Sequence, residues 1–146
     1  VDDDGRLPLA AETRAVEAFK KVTILAMGAA LQRYGQALTG EQEIMLWLAD
    51  LAVDSYAAES AVLRAQASSS AGDGALHAAA ASAFVCDAVI RVEVTARHVL
   101  AALSEGDTLR SNLAALRRLL RLAPASAVPA RRTLSDATVS RGAYIF

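Results

Sequence analysis

The sequence predicts an all-α protein, an up-and-down bundle of about four long helices followed by a short C-terminal helix. Three observations predict it. Alanine supplies 34 of the 146 residues and proline only 3, and these are the best and the worst helix formers. Apolar residues recur at three- and four-residue spacing over stretches too long for strands. No stretch alternates as a half-buried strand does, and aromatics at 5% are few for a sheet core. With 54% hydrophobic and 21% charged residues, residues 1–146 read as a single domain with its own core, not as a disordered segment.

Residues 1–10 are acidic and end at Leu7-Pro8-Leu9, a lead-in. From about Ala11 to Leu38 one stripe runs through Val16, Phe19, Thr23, Ala26, Ala30 and Tyr34, and a second through Ile24, Met27, Leu31, Tyr34 and Leu38. No charge falls between Lys21 and Arg33. A helix with a single buried face does not need to be apolar nearly all round. Either it lies at the centre of the bundle, or the face of Ile24, Met27 and Leu31 meets something outside this chain. Thr39-Gly40-Glu41 interrupts the pattern. A second helix runs from about Glu41 to Ala67 with Ile44, Leu48, Leu51, Ser55, Ala58, Val62 and Ala65 inward, Trp47 and Tyr56 at the flanks, and Asp50 and Asp54 opposite. The serine- and glycine-rich run Ser68 to Gly74 is a loop.

The third helix, about Ala75 to Leu103, turns Val85, Val89, Val92, Ala96, Val99 and Leu103 inward. Its acid-before-base pairs, Asp87/Arg91 and Glu93/Arg97, stand four residues apart. Asp107 or Thr108 is placed to cap a fourth helix, which runs to about Leu122 with Leu109, Leu113, Leu116 and Leu120 inward. Pro124 and Pro129 bracket a linker. A short helix from about Ala130 to Ser140 stops at Gly142.

The residues that carry chemistry are few. One cysteine, Cys86, excludes a disulfide framework and any multi-cysteine metal site. Di-iron bundles need Glu-x-x-His motifs on facing helices, and the positions three before His77 and His98 hold glycine and threonine. Cys86 and His77 stand nine residues apart, about 13 Å along a helix axis, so a buried structural thiol is the simpler reading. Asp50 and Asp54 read as a solvated or arginine-paired face. No glycine-rich phosphate loop is present, and neither helix-turn-helix spacing nor interleaved aromatics suggests nucleic acid. The charge is uneven. Residues 1–107 hold 8 basic and 15 acidic side chains, net −7, whereas 108–146 hold 7 arginines and one acid, Asp136, net +6. Arg110, Arg117, Arg118 and Arg121 opposite a leucine stripe form a basic amphipathic helix, suited to an anionic membrane surface, an acidic partner or the acidic half of this chain. The longest run without charge, Gly74 to Cys86, is shorter than the ~18 residues a membrane span needs. With no basic-then-apolar leader, a cytoplasmic protein is expected, and the first residue, Val1, suggests a piece of a longer chain.

Phe19 to Leu38, then Gly40-Glu41-Gln42-Glu43, the block Leu48-Ala49-Asp50-Leu51-Ala52-Val53-Asp54-Ser55-Tyr56-Ala57, and Val62-Leu63-Arg64-Ala65 together resemble the C-terminal helical region of acyl-CoA dehydrogenases. The nearest likeness is to the extra domain of the very-long-chain type. The resemblance continues through Val85-Cys86-Asp87 and Ala96-Arg97 to Ser140-Arg141-Gly142-Ala143-Tyr144-Ile145-Phe146, nearly the whole chain. It implies a parent flavoprotein in which a glutamate removes the α-proton of an acyl-CoA and FAD takes the β-hydride. No glutamate follows Glu105, and the sheet and first helical domain of such enzymes have no counterpart here. The resemblance therefore implies a non-catalytic assembly domain, with no catalytic, flavin or metal ligands of its own. Its partner is the parent's catalytic domain or a second subunit of a homo-oligomer, met through Ile24, Met27 and Leu31. In very-long-chain relatives this domain is also linked to dimer geometry and peripheral membrane attachment, which maps here onto Arg110, Arg117, Arg118 and Arg121. The alternative from the residues alone is a ligand-binding, dimerising module of a regulator, with a cavity lined by Met27, Trp47 and Phe84. A free-standing membrane-surface helical protein is the third reading.

Overall fold

The computed structural model describes residues 9–146; most of the expected lead-in lies outside them. Five α-helices follow one another: α1 (Ala10–Tyr34), α2 (Gln42–Ala67), α3 (Gly74–Leu103), α4 (Gly106–Leu119) and α5 (Val128–Arg141). No strand occurs among the described residues. Three of the helices are long and two have 14 residues, so the fourth is shorter than expected. α1, α2 and α3 pack mutually as up-and-down neighbours, α4 lies against α1 and α3, and α5 rests on α3 alone. Thus α3 touches every other helix. By length and composition α3 is long and apolar enough to cross a membrane, and 28% of its most apolar 18-residue stretch is buried within the bundle. The longest uncharged run understates this, because valine and isoleucine around Asp87 and Arg91 keep the mean hydropathy high.

The buried faces follow the helical period. On α2, Ile44, Leu48, Leu51, Ser55, Ala58, Val62 and Ala65 are all buried. On α1 the buried set is Ala15, Val16, Ala18, Phe19, Val22, Ala26 and Ala30. Ser55, the one buried polar side chain among the described residues, donates to the Leu51 carbonyl at 2.8 Å and meets Thr23 Oγ1 at 3.1 Å. These two polar positions of the predicted stripes therefore satisfy each other across α1 and α2. On α4 only Leu116 is buried outright, while Leu109, Leu113 and Leu120 are half-buried.

The helix ends differ from expectation for local reasons. α1 stops at Tyr34 rather than Leu38 because Gly35 takes a left-handed φ of 54°, and residues Gly35–Gly40 form a 3-10 turn that still buries Leu38. α4 begins one residue before Asp107, with Glu105 at the cap position and no side-chain cap. Asp107 sits in the first turn, where its carboxylate accepts from Arg110 at 2.7 Å. Pro129 lies in the first turn of α5 rather than in the linker; proline suits that position because its missing N–H would have no helical partner there. Gly142 ends α5 in the left-handed conformation, as expected.

The i,i+4 ion pair Asp87/Arg91 does not form. Arg91 instead grips Asp54 of α2, with Nη2 at 2.7 Å and Nε at 3.1 and 3.2 Å from its oxygens. Asp87 accepts from Arg131 of α5 at 2.6 Å. Each partner found a carboxylate or guanidinium on another helix, so the charges tie α3 to α2 and α5. Glu93 and Arg97 do pair within α3, at 2.7 Å.

Candidate functional site

The α1 helix places two of its large apolar side chains in solvent. Ile24 is 71% and Leu31 52% exposed, and Met27 between them is half-buried. Lys20 of α1 donates to Glu59 of α2 at 2.7 Å, and with the Thr23–Ser55 contact this sets the antiparallel register. Ile24 therefore lies level with the turn of α2 that carries Tyr56. Met45, Leu46, Val53, Tyr56 and Leu63 of α2 are themselves exposed, on the side turned away from its buried stripe. Both α1 and α2 thus expose large apolar side chains, as α3 does at Ile90 and Val94. Of the α2 residues only Tyr56 was expected at a flank; Met45, Leu46, Val53 and Leu63 lie among the charged residues of α2 and leave no long uncharged run in the sequence to mark them.

Met27, Trp47 and Phe84 are half-buried side chains packed on the core. They line neither of the two clefts described below, and their rings and side chains are engaged in packing. Trp47 instead packs on His98, ring centroids 5.5 Å apart, and Arg91 lies over the Phe84 ring at 5.3 Å.

The titratable groups are dispersed. Asp54 is held by Arg91 and Asp50 is exposed. Among the described residues no three His, Cys, Asp or Glu side chains gather as a metal site. His77 and Cys86 do not meet. The His77 ring stacks on Phe146 at 4.7 Å, with Nε2 3.5 Å from the Asp73 carboxylate. Arg141 donates to the Ile145 carbonyl at 2.6 Å and Ile145 is buried, so the last residues fold back onto the start of α3. Burial pushes the Cys86 thiol above its usual range, helped by Glu12 and Asp87. A thiol so placed is a weaker nucleophile at neutral pH, not an activated one.

The glycine turn Gly72-Asp73-Gly74 before α3 is closed on itself: a Cβ on Gly74 would stand 2.6 Å from the Ser68 carbonyl oxygen, so this turn is not an open cradle for a phosphate.

The basic face is exposed at Arg110, Arg117, Arg118 and Arg121. It does not dock on Asp50 or Asp54. Arg110 bonds Asp107 on its own helix, and the arginine that reaches back into the bundle is Arg131 of α5. The packing of α4 against α1 brings Arg118 beside Arg14 and Lys21 in one cleft of about 300 Å3. A second cleft of about 480 Å3 lies between the start of α1, the middle of α3 and the segment after α4, and Arg121 lines it. Sequence reading did not join Arg14 and Lys21 to the arginines of α4, because only the crossing of the two helices does so.

Comparison with known proteins agrees with this architecture. A sequence model described as acyl-CoA dehydrogenase, C-terminal domain, matches residues 18–118. A probable acyl-CoA dehydrogenase of Bacillus subtilis (strain 168) is 38% identical over 135 residues, covering 90% of this chain and 23% of the relative. The crystal structure of an acyl-CoA dehydrogenase complexed with FAD from Bacillus anthracis superposes with a TM-score of 0.92 at 32% identity, covering 97% of this chain and 25% of that one. The chain spans about a quarter of the length of these relatives. In sequence and in fold, the chain belongs to the family of acyl-CoA dehydrogenase C-terminal domains.

Proposed function

We propose that this chain is the non-catalytic assembly domain of an FAD-dependent acyl-CoA dehydrogenase, docking through the Ile24–Met27–Leu31 face onto the catalytic body of the parent chain or a second subunit. The observation that carries the reading is the exposure of Ile24 and Leu31 on a helix whose opposite face is fully buried. Leaving two aliphatic side chains in water forgoes about 1.5–3 kcal/mol each of burial, which a covering surface recovers. Two further facts support it. Relatives extend well beyond the matched region, and the carboxylates of Asp54, Glu59 and Asp87 are each bonded to a cation on another helix rather than free to act as a base. The reaction itself, removal of an α-proton and β-hydride from an acyl-CoA, belongs in this reading to the parent's other domains.

The test is flavin content. The purified 146-residue chain is expected to be colourless and to show no change in flavin absorbance or fluorescence when titrated with FAD, whereas the parent protein carries the cofactor. Stoichiometric flavin retained by the chain alone would overturn the reading.

A further inference from the structure

We propose that α5 and the residues after it form a releasable strap, which lifts from α3 as one unit while the rest of the bundle stays folded, and that Ile145 is its latch. α5 packs on no helix but α3 and buries none of its own side chains. Its half-buried residues are only Ala130, Leu134 and Ala137, and both its valines, Val128 and Val139, are exposed. A 14-residue helix with so little of its own to bury must be held from outside, because isolated helices of ~12–15 residues are marginal in water. The holding contacts lie at its two ends. At one, Arg131 Nη2 donates to both carboxylate oxygens of Asp87, at 2.6 Å each. Both side chains are exposed, and pairs of that kind contribute little. At the other, Ile145 is buried, Arg141 donates to its carbonyl, and the Phe146 ring lies on His77. The apolar contact is the stronger hold, and it acts from beyond the helix that it secures.

The strap covers the least charged part of the molecule. Its two anchors on α3, Asp87 and His77, stand about 15 Å apart along the helix axis. α5 and the tail therefore run antiparallel to α3, over the uncharged run Gly74 to Cys86. Ala83, one turn before Asp87, is buried there although it lies outside the central core cluster. Leu76, Ala80, Ala83, Asp87, Ile90 and Val94 follow one another at three- and four-residue steps and so share one side of α3. Beyond the start of α5 that side is bare, at Ile90 and Val94. With the strap closed the first half of this apolar side is shielded. With it lifted, the whole side from Leu76 to Val94 meets solvent, interrupted only by Asp87. Lifting and unwinding are coupled, since α5 has no second surface to lean on.

The experiment is native-state hydrogen–deuterium exchange of the 146-residue chain, read by mass spectrometry segment by segment. The α5 amides are expected to exchange through an opening populated about a hundredfold or more above the one that exposes α3. Ile145→Ala is expected to speed exchange in α5 about tenfold or more. It should leave α1, α2 and the second half of α3 unchanged, because Ile145 is not part of the central core cluster. Asp87→Asn, which removes the exposed ion pair, is expected to speed α5 exchange by no more than about fivefold. Circular dichroism checks that both variants keep the bundle. Exchange of α5 no faster than that of α3 would mean that it opens only with the whole molecule, and would overturn the proposal. So would an Ile145→Ala variant that leaves α5 unchanged or speeds α1 and α2 equally. An effect of Asp87→Asn larger than that of Ile145→Ala would place the latch at the ion pair, and also overturns it.

Discussion

Phe19→Ala is expected to be the most damaging single substitution in this chain, costing about 3–5 kcal/mol of folding free energy. Phe19 is fully buried and is the largest of the buried side chains, in a core otherwise built of alanine, valine, leucine and isoleucine. Truncating it removes the ring's own burial and leaves a cavity. Three helices mutually packed and tied by the Lys20–Glu59 and Asp54–Arg91 pairs have little freedom to collapse into that space. Domains of this size are stable by only ~5–15 kcal/mol, so the loss is a large fraction of the total. Urea denaturation checks it. The midpoint should fall steeply while the dependence on urea stays as in the wild type. A cost under about 1 kcal/mol would mean that α1 is not part of the packed core.

Ala88→Leu is expected to cost about 3 kcal/mol, at the upper end for overpacking. The Asp54–Arg91 and Trp47–His98 contacts set the register of α2 against α3. That register puts Ala58 level with Ala88, and Ala65 level with Ala81, and all four are buried. Two methyl groups facing each other allow the axes to approach closely, leaving no room for a leucine between them. The same change at Ala49, exposed on α2, should lie within about 0.5 kcal/mol of neutral. Thermal or chemical unfolding of the two variants side by side checks the pair. Equal stabilities would mean that the α2–α3 contact is loose enough to admit three extra heavy atoms.

The sequence made the inward faces legible and left the tertiary pairing hidden. All seven inward residues of α2 could be read because period and polarity agree along that helix. The end of α1 could not, because Leu31 to Leu38 continue the apolar spacing through the turn that Gly35 imposes. Pro129 looked like a linker residue because proline breaks helix interiors, whereas its actual place in the first turn is one it fits. Asp87 and Arg91 were paired by spacing. Their real partners, Arg131 and Asp54, lie 44 and 37 residues away and depend on how the helices stack. The candidate surfaces divide in the same way. Ile24, Met27 and Leu31 stood out because an uncharged helix is visible in one dimension. The cleft of Arg14, Lys21 and Arg118 joins two helices that the sequence alone does not bring together.

The proposed docking of the α1 face on a surface outside this bundle is tested most directly by the double substitution Ile24→Asp/Leu31→Asp. Both side chains are exposed in the 146-residue chain. Hydrogen–deuterium exchange with mass spectrometry, on the chain alone and on the parent protein, reads both sides of the claim. In the chain alone the double variant should unfold within about 0.5 kcal/mol of the wild type, with unchanged exchange. In the parent, the α1–α2 segments should be protected in the wild type and lose that protection in the variant, as two carboxylates are forced into an apolar contact. A variant that destabilises the isolated chain by several kcal/mol, or a parent whose α1–α2 exchange is the same with and without the substitutions, would contradict the account.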